Sequence, residues 1–71
     1  MRKIYKVGGL FEKRHEDDIE ENISQIDGVG NVDVDFANKI VIVDFDERVI
    51  DVDLLASTLT SLGYGIRHEI K

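Results

Sequence analysis

"VGNVDVDFANKIVIVDF", residues 29–45, is the stretch on which the fold rests. Its first half alternates, with Val32, Val34 and Phe36 on one side and Asn31, Asp33 and Asp35 on the other. A period of two marks an extended strand buried on one face. The second half alternates again, setting Val41, Val43 and Phe45 against Ile40, Ile42 and Asp44. Ala37 and Asn38 leave room only for a turn between them, and Asn38 tolerates turn conformations. The stretch is predicted to be a β-hairpin.

Upstream, residues 3–7 (KIYKV) read as another strand, ended by Gly8 and Gly9. From His15 to Ile26 the apolar residues are Ile19, Ile23 and Ile26, one stripe of an amphipathic helix. Glu16, Asp17 and Asp18 fall in its first turn, where the helix dipole favours acids. Asp27 and Gly28 stop it, with Gly28 expected to supply a left-handed cap. Downstream of the hairpin, Asp51 or Asp53 is the expected cap of a second helix. Leu55, Leu59 and Leu62 form its stripe and Gly63 its stop. Residues 64–70 close with a strand, predicted to carry Tyr64, Ile66, His68 and Ile70 on one side. The order is β-α-β-β-α-β. Each helix has a single stripe to bury, so a four-stranded antiparallel sheet with both helices on one face is predicted. This is a ferredoxin-like sandwich of the α+β class, one domain over residues 1–71.

Composition narrows the function classes. Nine basic residues against fifteen acidic give a net charge of −6. Nucleic-acid binding depends on clustered basic residues, and acidic ones interrupt this chain after position 15, so neither a nucleic acid nor an anionic membrane is the expected partner. No apolar run approaches the roughly 20 residues of a membrane span, and no signal peptide is visible, so the expected setting is cytoplasmic. With no cysteine, the chain has no disulfide, thiolate metal site or cysteine nucleophile. Ser24, Ser57 and Ser61 fall on helices, and neither histidine has an evident nucleophile and carboxylate beside it, so no enzyme activity is expected. The acidic runs lack the Gly-centred twelve-residue loop of a calcium site. Gly8-Gly9 is not followed by a phosphate-loop signature.

The segments KVGGL, IEENISQIDGVGNVDVDF, KIVIVDFDE and LLASTLTSLGYG, in this order and at these spacings, resemble the heavy-metal-associated domain family of copper chaperones and metal-transporting ATPases. That resemblance covers nearly the whole chain. It implies a metal-handling module whose partner is a metal-transporting ATPase or another protein, with a metal loop built on Gly9, Leu10 and the corner aromatic Tyr64. The family's two metal cysteines would fall at Glu12 and His15, and its methionine at Leu10. The loop thus keeps its spacing and loses both thiolates.

Copper(I) prefers soft sulfur ligands, and Met1 is the only sulfur in the chain. Glu12 and His15 offer a carboxylate and an imidazole, which suit zinc or nickel. Two ligands give at most a weakly held divalent ion, and Lys13 and Arg14 repel it. Tyr64 is expected to be core, with its hydroxyl reaching water. His68 lies late in the last strand, more than about 10 Å from the loop at ~3.3 Å per residue. The other reading is a cysteine-less interaction or regulatory module. By alternation, the open sheet face carries Ile4, Ile40 and Ile42 among Lys6, Asp33, Asp35, Asp44 and Arg67, the pattern of a docking or dimer surface.

Overall fold

The computed structural model describes residues 1–70. The elements follow the predicted order: β1 (Arg2–Val7), α1 (Arg14–Ser24), β2 (Val29–Asp35), β3 (Ile40–Phe45), α2 (Val52–Ser61) and β4 (Ile66–Ile70). All pairings are antiparallel and the sheet order is β2-β3-β1-β4. One face of the sheet supplies Tyr5, Val7, Val41, Val43 and Phe45 to the core, and the helices supply Ile19, Ile23, Leu55 and Leu59. Both helices therefore share one face, as their single stripes require. Each of these large side chains contributes about 1.5–3 kcal/mol by leaving water.

The structure refines the hairpin turn and corrects the end of α1 and the alternation of β4. The hairpin's left-handed residue is Lys39 (φ 58°), not Asn38. Asn38 instead donates its backbone N–H (3.2 Å) and its amide (2.8 Å) to the Asp35 carboxylate. These bonds hold that carboxyl below the usual range. The strain at Lys39 is offset by its ammonium, 3.7 Å from the centroid of the Phe36 ring.

Helix α1 ends at Ser24, and Gly28 does not cap it; its φ of +99° turns the chain into β2. Ile26 lies past the helix end yet still packs on the core. Of the two capping candidates for α2, Asp51 caps, accepting the Asp53 N–H at 3.0 Å.

The alternation expected from Tyr64 to Ile70 is broken. Tyr64 precedes the strand, and a bulge between the Val7–Ile66 and Lys6–His68 pairs shifts the side-chain parity. Ile66 packs on the core. His68 and Ile70 pair with Lys6 and Ile4 and so lie on the open face.

Tyr5 is 1% exposed, and its hydroxyl finds no hydrogen-bond partner among the described residues. Burial raises its pKa. An orphaned buried hydroxyl costs about 1–3 kcal/mol, so Tyr5→Phe is expected to stabilise the fold by about 1 kcal/mol. Urea unfolding tests this, and a loss of stability would reveal a partner for the hydroxyl.

Candidate functional site

The segment between β1 and α1 is fixed at its start by three contacts. The Gly8 N–H donates to the Gly65 carbonyl at 2.8 Å. Gly9 has φ +84°, and a Cβ there would stand 2.6 Å from the Gly63 carbonyl oxygen, so only glycine fits this approach. Leu10, 1% exposed, anchors the loop in the core. Beyond it Phe11, Glu12 and Lys13 face solvent, Phe11 being 80% exposed.

The other wall comes from the end of α2. Gly63 (φ +99°) donates its N–H to the Thr60 carbonyl at 3.0 Å, and the Tyr64 N–H reaches the Leu59 carbonyl at 2.9 Å. This is a Schellman motif, which ends the helix and fixes the direction of the next side chain. That side chain is Tyr64, 4% exposed. The sequence suggests only a hydroxyl reaching water; in the structure it donates to Asp18 Oδ2 at 2.8 Å, joining the α2 corner to α1. Burial first, and then the Asp18 bond, push the Tyr64 pKa up to about 12.

His15 stands edge-on to this ring, with centroids 5.7 Å apart and an interplanar angle of 67°. Helix α1 has no side-chain cap at Lys13. His15 Nδ1 accepts the backbone N–H groups of Phe11 (3.2 Å) and Glu12 (3.1 Å) in the loop just before the helix. A ring nitrogen that accepts carries no proton, so the neutral ring holds its hydrogen on Nε2. Glu12 is ion-paired with Arg14. Both sequence-predicted ligands are thus occupied by the chain's own groups.

The heavy-metal-associated domain family matches residues 5–65. The chain belongs to this family. Its fold superposes on a CopZ metallochaperone with a TM-score of 0.88, at 26% identity over 93% of this chain and 98% of that one. It is similar to the N-terminal domain of a potential copper-translocating P-type ATPase from Bacillus subtilis in the Cu(I)-loaded state (TM-score 0.85, 25% identity, 99% and 90% covered). Oxidized MerP from Ralstonia metallidurans shares the fold (TM-score 0.86, 24% identity, 96% and 97% covered). A comparison with curated proteins gives no match.

Within this heavy-metal-associated domain Gly9 approaches the Gly63 carbonyl and the Tyr64 ring, and Leu10 is buried beside them in the core. Among the described residues no three His, Asp or Glu side chains gather as metal ligands. Met1 directly precedes β1 and the loop follows β1, so the chain's one sulfur lies about 20 Å from the loop at ~3.3 Å per residue. The donor set does not fit copper(I). His68, exposed on β4 opposite Lys6, is not part of the loop.

Two features escape the sequence reading. The Asp18–Tyr64 bond spans 46 residues and leaves no local signal. Phe11 obeys no alternation, and its only sequence signal is a large aromatic in a glycine-led, charge-rich segment.

The Tyr64 shift has a pH consequence. An ordinary tyrosine titrates near about 10, and a pKa raised on folding gives stability that is complete below that value and lost as pH rises through the folded one. For Tyr64 the window runs from about 10 up to about 12. Resistance to urea should fall across this window, and Tyr64→Phe should flatten the fall. In Tyr5→Phe, where Tyr64 is the one remaining phenol, phenolate absorbance of the folded protein should rise only toward about pH 12; a step near about 10 would contradict the Tyr64–Asp18 bond.

Proposed function

We propose that this chain, as one domain over residues 1–71, is a cytoplasmic module of a metal-handling system that works without a thiolate site. The observation that carries this reading is the occupied His15 Nδ1. The family's loop architecture is retained, yet at the two positions of the resemblance's cysteines the chain places a carboxylate paired with Arg14 and an imidazole committed to the backbone. A zinc or nickel ion would meet His15 through Nε2. Taking up that lone pair requires the proton to move to Nδ1, which breaks both loop bonds. Glu12 would have to leave Arg14, and Lys13 adds repulsion. Binding at Glu12 and His15 is therefore weak at most, and the module has no catalytic role. Its partner in this reading is a metal-transporting ATPase or another protein of the same system.

A second reading, a metal-free interaction module, is favoured by Phe11. An aromatic ring left 80% exposed at a loop tip beside Lys13 is a contact residue for a protein partner rather than a core residue.

Zinc titration followed by backbone amide shifts, on wild type and His15→Ala, tests the proposal. Saturable shifts confined to residues 8–18, with an affinity weaker than about 100 µM and lost in the variant, are expected for the altered metal module. Absence of shifts at millimolar zinc would leave the interaction module as the function. Sub-micromolar binding, or binding indifferent to His15→Ala, would contradict both readings of the loop.

A further inference from the structure

The face of the sheet turned away from the helices has a charge order that its strand register makes explicit. Across it run three rows. Asp44 of β3 pairs with Arg2 of β1 at one end. In the middle Asp33, Ile42, Ile4 and Ile70 stand side by side across the four strands. At the other end the row is Asp35, Ile40, Lys6 and His68. Acids occupy the β2 and β3 side, bases the β1 and β4 side, and half-buried isoleucines lie between them.

We propose that this face recognises a second copy of the same chain, docked face to face about a twofold axis parallel to the strands. Such an axis passes between β3 and β1 and keeps each row at its own level. It lays β1 of one copy over β3 of the other, and β4 over β2. Ile4 then meets the neighbour's Ile42, and Ile42 its Ile4. Arg2 lies over the neighbour's Asp44. Lys6 and His68 lie over the side that carries Asp35. The Arg2–Asp44 row, already ion-paired within each chain, and the Asp35–Lys6–His68 row each meet their complement twice, as an isologous interface demands, while Asp33 comes to lie over the neighbour's Ile70. A twofold axis across the strands would instead set Asp33 and Asp35 against the same residues of the neighbour, and like charges opposed at an interface cost association. The charge order thus selects the occupant and the axis together.

The size of the face sets the strength. Four strands ~4.8 Å apart and five or six residues long at ~3.3 Å per residue give a footprint of about 300–400 Å² per copy. That is below the ~800 Å² per partner of a stable complex, and the net charge of −6 adds repulsion. The dimer is therefore transient, formed at high micromolar to millimolar protein. It uses the face opposite the helices and does not depend on the metal reading of the loop.

Sedimentation equilibrium and amide spectra over a dilution series from about 2 mM to about 50 µM test it on the wild-type chain. The expected result is a monomer–dimer equilibrium with concentration-dependent shifts at Ile4, Lys6, Ile40, Ile42 and His68, while α1 and α2 stay still. Lys6 is exposed, so Lys6→Glu should leave the fold intact, which the same spectra report, and raise the dissociation constant at least about five-fold. Lys13→Glu changes the net charge equally but lies off the face, and should leave the constant within about two-fold. A chain monomeric throughout, shifts centred on residues 8–15, or equal weakening by both variants would each overturn the proposal.

Discussion

The left-handed turn at Gly63 is the constraint on which the working end of the molecule depends. It ends α2 with two backbone bonds and presents the Gly63 carbonyl to Gly9. It also delivers Tyr64 into the space between the two helices and the loop. From there the hydroxyl reaches Asp18 and the ring meets His15, so one turn sets the relative position of α2, α1 and the β1–α1 segment. Leu10 completes the arrangement from the core side. A side chain at Gly9 would drive into the Gly63 carbonyl, so the close approach is as much a property of the loop as of the turn.

Given that frame, the chemistry at the loop follows from what each side chain finds within reach. In a heavy-metal-associated domain with two loop cysteines, the loop ends in two thiolates. Here an imidazole stands at the second position, and its Nδ1 accepts the N–H groups of Phe11 and Glu12, which lie in the loop just before the helix. The ring satisfies these loop donors. A side chain with ligating chemistry thus becomes the clasp that closes the loop, and the Glu12 carboxylate finds Arg14. The loop's shape is preserved by bonds that compete with metal.

Much of the fold was legible because alternation and helical spacing are local. Val32, Val34, Val41 and Val43 declare the hairpin, and Ile19, Ile23, Leu55 and Leu59 declare the two faces that must meet it. The misreadings lie where one residue more or less changes the outcome. The bulge near Arg67 reverses parity along β4, and nothing in IRHEI announces it. The turn places its positive φ on Lys39 because Asn38 is drawn to Asp35. At the loop, the identities of Glu12 and His15 were visible, but their partners were not. Hydrogen bonds to backbone N–H groups depend on the path of the chain, which spacing alone does not describe.

The claim most exposed to test is that His15 closes its own loop. Long-range proton–nitrogen correlation of the imidazole at about pH 8, above the ordinary histidine range, reads the tautomer directly. The account predicts a His15 ring protonated on Nε2, with an unprotonated Nδ1 whose nitrogen shift carries the signature of an accepted hydrogen bond. It also predicts that the amide protons of Phe11 and Glu12 exchange faster in His15→Ala. A ring protonated on Nδ1, or exchange of those two amides unchanged by the substitution, would contradict it.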